Sequence, residues 1–446
     1  MFKTVRDAFK VKEIRKRLWY TFLMLIIVRI GCQLPMPGTT NETIKNMTGD
    51  LSILKNLGFF NALTGGSFES FSIFALNITP YITSSIIIQL LTIAIPSLEE
   101  MQKDGEEGRK KIQSITRYVT VILALIQSVA TVISFGNRGL FGDINTFSKG
   151  QYAFKVVIAV AALTAGSAYL MWMGENITEK GVGNGISIIL LINIVSRMPS
   201  DFTTLFNQFV KNRSSIGGKL LAVFVIIAIV VVIVAFVVIL QDAERRIPVQ
   251  YSKKVQGRKL VGGQSSHIPL KVNTAGVIPI IFAQSLLMFP VVICQFIYSN
   301  SKMPGWTKYL QQGNWLKFSS SNIKYSLGFI VYVVLVVAFA YFYTSITFNP
   351  IEVADNMKKS GGFIPGIRPG KPTQEYLNGL LNYIVLIGAI GLLIVAVIPI
   401  AAEGISGAQL STGGTSLIIV VGVVLETIKN VESKMVVRSY KGFLID

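Results

Sequence analysis

Long apolar stretches alternate with short polar, mostly basic connectors along the whole chain. A helix needs about 20 apolar residues to cross a bilayer. Runs of that kind fall at residues 18–35, 73–96, 117–134, 154–173, 185–199, 217–240, 275–298, 326–348, 378–399 and 412–428, the fifth being the shortest. The pattern predicts an all-α integral membrane protein with ten spans. One run differs from the others. Residues 65–91, GGSFESFSIFALNITPYITSSIIIQLL, open with Gly65 and Gly66, mix Ser67, Glu69 and Ser70 with Phe68 and Phe71, and meet Pro80 early in the apolar part. Proline removes a backbone donor and strains the turn before it. Irregular backbone survives at membrane depth only where protein or a water-filled cavity satisfies it. This helix is therefore expected to be broken and to line something.

The connectors carry their own patterns. Residues 1–17 alternate Phe2, Val5, Phe9 and Ile14 with Lys3, Arg6, Lys10 and Arg17, as an amphipathic surface helix would. Gly181, Gly183 and Gly185 lack the spacing and the preceding strand of a dinucleotide site, so they predict a tight turn. Residues 241–272 alternate Arg245, Arg246, Lys253, Lys254, Arg258 and Lys259 with Ile247, Val249, Val255 and Leu260, which predicts a projecting β-hairpin with Gln256 and Gly257 near its tip. Residues 349–377 hold Lys358, Lys359, Pro365, Arg368, Pro369 and Lys371 among glycines, and predict a rigid, turn-rich loop. Both basic loops are longer than topology requires, which favours docking surfaces.

Composition agrees with a membrane protein. Of 446 residues, 51% are hydrophobic and 15% charged, against about 25% charged in soluble domains. The net charge of +19 is first a matter of the positive-inside rule. An even number of spans puts both termini on one side, and most of the 42 Lys and Arg fall there, so that side is expected to be cytoplasmic. The basic residues around 197–219 and 299–325, Arg197 included, run against the rule. The basic start imitates a signal peptide, but no A-x-A-like site follows and more spans do, so a retained first helix is expected. Arg29 lies inside the first span, where an arginine marks either a functional site or a snorkelling side chain.

Candidate chemistry is sparse. Cys32 and Cys294 sit in apolar runs and predict small buried hydrophobes, neither a disulfide framework nor a metal site. His267, the single histidine, has no nucleophile or base pattern near it. There is no P-loop, and no Asp or Glu lies mid-span, where ion-coupled transporters place their relays. No catalytic residue, cofactor or metal is expected, and movement of a cargo would need a partner or another gradient to drive it.

Residues 65–91 closely resemble the signature around the second helix of the SecY family of protein-translocation channels. GEEGRKKIQSITRY (105–118), GVGNGISIIL (181–190), QSSHIPLKVNTAGVIPIIFAQS (264–285), NPIEVADNMKKSGGFIPGIRPG (349–370) and GGTSLIIVVGV (413–423) resemble later parts of that family in order. The resemblance implies ten helices in two inverted five-helix halves, 1–199 and 217–446, joined by an external hinge at 200–216, around a central hourglass pore. It implies a channel that passes unfolded secretory polypeptides across the plasma membrane and releases transmembrane segments laterally into the bilayer. The implied partners are SecE-type and SecG-type membrane subunits, the SecA motor ATPase, the translating ribosome with its RNA, signal peptides and nascent chains, and membrane lipids.

The implied pore ring is Ile78, Ile82, Ile186, Leu190, Ile281 and Ile419. The implied plug is a half-helix over about 60–72, with Asn61, Gly65, Gly66, Ser67, Phe68, Glu69 and Ser70. Gln127 and Asn273 would meet at the lateral gate, and Arg258 and Arg368 would dock partners. Asn77 departs from the family pattern, which has a small residue there, often glycine, and bears on how the plug hinges. The alternative is a secondary transporter with broken helices, against which the missing mid-span acids count.

Overall fold

The computed structural model describes residues 2–39, 63–136, 140–142, 148–211, 216–251, 254–256, 259–261, 265–297, 304–316, 323–406 and 414–442. Its helices, in chain order, are α1 (Phe2–Lys10), α2 (Lys12–Gln33), α3 (Thr79–Ala94), α4 (Pro96–Lys103), α5 (Gly105–Gly136), α6 (Lys149–Lys180), α7 (Gly185–Leu205), α8 (Ile216–Asp242), α9 (Ile278–Ile297), α10 (Thr307–Leu310), α11 (Leu327–Thr347), α12 (Pro350–Lys359), α13 (Lys371–Ser406) and α14 (Gly414–Gly442). Each of the ten apolar runs lies on one of them. Among the described residues six helices are long and apolar enough to cross a membrane, or seven if the pair α3 and α4, bent by 106°, counts as one span. The other three runs fall on α2, whose first turns are charged, α9, which is apolar along its length from Ile278 to Ile297, and α14, whose second half is charged.

The surface is inside-out relative to a soluble protein. α8 leaves Leu220, Leu221, Phe224, Val231 and Val232 exposed and buries only its last turns, at Ile233, Val237 and Leu240. Lipid tails solvate such a surface, so the helices associate through packing of small residues and through polar contacts. One apolar core joins α2, α6 and α7, and a second joins α8, α9, α11, α13 and α14.

Three sequence expectations change. Pro80 does not interrupt a helix; it sits in the first turn of α3, where its missing N–H costs nothing because first-turn donors have no intrahelical partner. The sharp bend comes instead at Pro96. The loop at 349–377 opens as a ten-residue helix, α12, because Asn349 accepts from the Ile351 N–H and Pro350 starts the first turn. The fifth span also runs longer than its apolar run: α7 continues through Pro199 to Leu205 and then as a π-helical turn, Phe206–Lys211.

The hairpin forms as expected. β1 (Glu244–Tyr251) pairs antiparallel with β4 (Ser265–Lys271), while β2 (Lys254–Gln256) pairs with β3 (Lys259–Val261) farther out. β5 (Gly362–Phe363) adds to the free edge of β1, so the two long connectors share one sheet of order β4-β1-β5. Ile247, Val249 and Leu270 pack it against Met357 of α12 and Leu377 of α13. The glycine turn also forms: Gly181 ends α6, Gly183 takes φ +72°, and Asn184 caps α7 by accepting from Ile186 and Ser187.

Candidate functional site

Four helices far apart in sequence bring six aliphatic side chains together. Ile78 at the start of α3, Leu190 of α7, Ile281 of α9 and Ile419 of α14 are 1%, 6%, 9% and 2% exposed and belong to one apolar cluster. Ile82 and Ile186 pack against that cluster, half-buried. The approach of α7 to α6 sets the position of Ile186: a Cβ on Gly185 would lie 2.0 Å from the Gly174 carbonyl oxygen, and one on Gly174 would lie 2.8 Å from Ile186 Cγ1. At Gly185 the neighbouring atom is backbone and only glycine fits, while at Gly174 a larger residue would press on the Ile186 side chain.

On one side the cluster floors a cavity of about 800 Å³. Ile82, Ile186, Leu190 and Ile281 line its base, and Lys110, Gln113, Arg117, Glu175 and Glu179 line its walls. Those walls exist because α5 and α6 extend well beyond their apolar runs. Arg117 Nε meets Glu175 Oε1 at 2.8 Å, and Gln113 Nε2 donates to the same oxygen at 3.1 Å, tying the two extensions together. Tyr81, Ser85 and Gln89 of α3 face Ile278 and Phe282 of α9 and Tyr343 of α11 around the same cavity, so it reaches the seam between α3 and α9.

On the other side lies the segment 63–78. Among its described residues it is a run of turns after Leu63–Thr64 and not a continuous half-helix, because four residues take left-handed backbone: Gly65 (φ +64°), Gly66 (+85°), Phe71 (+44°) and Asn77 (+51°). The protein satisfies this irregular backbone. Ser67 Oγ donates to the Thr64 and Phe74 carbonyls, Ser167 Oγ to the Asn77 carbonyl at 2.9 Å, and the Ile73 N–H to Leu34. Asn77 acts twice, its Nδ2 donating to Thr64 and its Oδ1 accepting from the Ile78 N–H at 2.8 Å. Phe68 and Phe71 stack edge-on against Phe135 of α5, holding the outer face in an aromatic nest.

The remaining predicted site residues are dispersed. Asn273 is buried and its Nδ2 has no hydrogen-bond partner among the described residues, while Gln127 is half-buried; no hydrogen bond joins the two, so the expected gate contact is not made in this conformation. Arg368 is exposed on the turn after β5, its carbonyl accepting from Thr373 Oγ1. Asn61 and Arg258 lie outside the described residues. Cys32 and Cys294 are both buried and free. Arg29 does not snorkel: its Nη1 is buried beside Gly65.

Among the ion pairs the sequence reading did not foresee, two lie at this site. Arg117–Glu175 links residues 58 apart in sequence, and nothing local announces it. Arg197 Nη1 meets Glu69 Oε2 at 3.1 Å. For that pair signals existed: Glu69 is the single charge within 63–78, and Arg197 stood among the basic residues on the wrong side of the charge rule.

A profile of the SecY family matches residues 72–428. The protein translocase subunit SecY of Streptomyces galbus is 42% identical over 450 residues, covering all of both chains. That of Halalkalibacterium halodurans is 41% identical over 453 residues with the same coverage. Among solved structures, a protein-conducting channel aligns over 97% of both chains with a TM-score of 0.64 at 18% identity. A SecY structure whose plug domain is described as stabilising the closed channel and maintaining a membrane seal aligns over 97% of both with a TM-score of 0.61 at 17% identity. Sec61 from a canine ribosome-channel complex aligns over 97% of both with a TM-score of 0.60 at 17% identity. At those identities the structural likeness speaks for the fold.

Proposed function

The chain belongs to the SecY family, and from that premise we propose how this protein-conducting channel of the membrane seals and opens. The six clustered aliphatics are its constriction. A conduit for polypeptides must pass every side chain yet hold back ions. Charged rings would bind some segments and repel others, whereas a ring of bulky aliphatics binds none strongly and excludes ions by dewetting. The polar-walled cavity is the funnel through which unfolded chains arrive. The described part of 60–72, residues 63–72, is the plug, and 73–78 leads from it into the ring. The seam between α3 and α9 is the lateral gate through which hydrophobic segments pass into lipid, with Gln127 and Asn273 nearby. The convergence of ring residues from both halves of the chain, between a polar cavity and a buried irregular segment, carries this reading.

Finer assignments follow from family membership. The halves are 1–199 and 217–446 with a hinge at 200–216, and the termini face the cytoplasm across a plasma membrane. The shared sheet of hairpin and β5, with Arg258 and Arg368, is the docking face for a SecA-type motor and the ribosome. Ribosome association is supported by the Sec61 neighbour. SecE-type and SecG-type helices cover apolar flanks. A secondary transporter is not favoured, since the matching relatives are translocase subunits.

The test is Ile419→Asn, which puts a hydrogen-bonding group into the dry ring. Abundance, ion leak in planar bilayers and export of a precursor with a crippled signal are scored together. Leak and improved export of that precursor are expected. Reduced abundance with neither would make Ile419 a packing residue and remove it from the pore.

A further inference from the structure

Segment 63–78 is seated on one face of α7. A Cβ on Gly65 would lie 2.9 Å from the Asn193 Cα, and one on Gly66 would lie 3.2 Å from Arg197 Nη1. Glu69 then reaches the same guanidinium at 3.1 Å. Asn193 and Arg197 are four residues apart, so they share a helix face. Continuing that stripe toward the start of α7 leads to Leu190 and Ile186, which belong to the ring. One helix face thus carries the constriction and, two turns farther on, the seat of the segment above it.

The seat is polar where the ring is dry. Arg197 is 17% exposed along its side chain and Glu69 40%. Among the described residues, Arg29 Nη1, Arg197 Nε and both amide atoms of Asn193 are buried without a hydrogen-bond partner. Buried unsatisfied donors and acceptors favour any state that hydrates them. The seated segment is therefore held by its aromatic nest, by hydrogen bonds to Ser167 and to the backbone of Leu34 and Met36, and by the Glu69–Arg197 pair, and opposed by groups that water would serve better. That balance makes a seat that can be left.

We propose that Glu69 and Arg197 form an electrostatic latch that holds the plug on α7 in the closed channel, with Arg197 as its positioning residue. The proposal rests on the reading of 60–72 as the plug. It also accounts for Arg197 on the side where the charge rule disfavours a cation: the residue is a partner for Glu69 and not a topological signal. Opening must separate the pair, so strengthening or weakening it moves the closed–open balance without touching the ring.

The test uses the full chain, assembled in membranes with its partner subunits. Glu69→Arg and Arg197→Glu each place like charges face to face, and the double variant restores an opposite pair. Each single reversal is expected to raise ion leak in planar bilayers by about tenfold, and the double variant to return it near the parent value. A merely structural arginine would give no such rescue. In parallel, Glu69→Cys with Arg197→Cys is bridged by a short reducible bis-methanethiosulfonate, the buried native cysteines being controlled by the treated parent protein. Bridging is expected to block precursor export, and reduction to restore it. Export that proceeds normally while bridged overturns the plug reading and the latch with it. A block on bridging, combined with single reversals that leak no more than the parent or a double variant that fails to rescue, overturns the latch alone.

Discussion

The constriction and the seat above it lie on the same stripe of α7 and are built on opposite principles. The constriction is six aliphatic side chains with no polar group among them. The seat is a set of directional contacts: Asn77 to Thr64 and to the Ile78 N–H, Ser67 to Thr64 and Phe74, Ser167 to Asn77, and Glu69 to Arg197. Apolar contact is non-directional and tolerates exchange of one aliphatic for another. Hydrogen bonds and left-handed turns do not tolerate exchange, because each needs one atom in one place. The comparison separates two tasks. Passing any sequence requires a ring without preferences, while closing reproducibly requires a plug that returns to one position.

The largest effect expected on the seat comes from Gly65→Ala. Gly65 has φ +64°, and a Cβ there would meet the Asn193 backbone at 2.9 Å, an atom that no rotamer change can move. The left-handed penalty and the clash together cost roughly 2 kcal/mol or more. The plug should therefore fail to seat, with leak above that of any single ring substitution by another aliphatic. Bilayer conductance measures it. A parent-like leak would mean that the close approach of 63–78 to α7 is dispensable, and the contrast drawn above would lose its polar side.

A smaller effect is expected for Asn77→Gly. Glycine keeps φ +51° without strain, so backbone conformation is held constant and only the two side-chain hydrogen bonds are lost. The Ile78 N–H would be left buried and unpaired, at about 1–3 kcal/mol. Leak should rise less than in Gly65→Ala, and a precursor with a weak signal should be exported better. Asn77→Ala adds the left-handed strain that Gly avoids and should exceed Asn77→Gly. The reverse order would show that the left-handed backbone at this position is not what closure requires, since both variants lack the amide.

The same contrast explains what was legible in the sequence. Apolar periodicity depends on residue type alone, so the ten runs all fall on helices and the alternation in 241–272 gives the hairpin. The ring was reachable only through the family resemblance; the spacing of Ile78 and Ile82, and of Ile186 and Leu190, four apart, says only that each pair shares a helix face. The seat was only half legible. Gly65 and Gly66 announced a bend, but φ +44° at Phe71, whose ring packs edge-on against Phe135, leaves no trace in composition. Pro80 was misread because a proline in a helix and a proline starting one look alike until the capping residue is known. The Arg117–Glu175 pair depends on how far α5 and α6 overrun their apolar cores, which the hydropathy of those cores does not encode.

The smallest expected effect is also the sharpest probe of the ring. Ile82→Leu conserves volume and apolarity and moves one methyl group. Such swaps usually cost less than about 1.5 kcal/mol even in a packed core, and Ile82 is only half-buried at the base of an open cavity, so its neighbours can adjust. If the constriction works by staying dry, the identity of the aliphatic is immaterial: leak and the export of normal and weak-signal precursors should match the parent. Glu69→Gln is the paired control in the seat. It too conserves volume, but it removes the charge from the contact with Arg197 and leaves a cation facing a neutral amide, so its leak should rise measurably. Equal silence in both would make the seat as permissive as the ring. A clear leak from Ile82→Leu would mean that the ring closes by fitted packing of particular rotamers, and that dewetting is not what holds ions back.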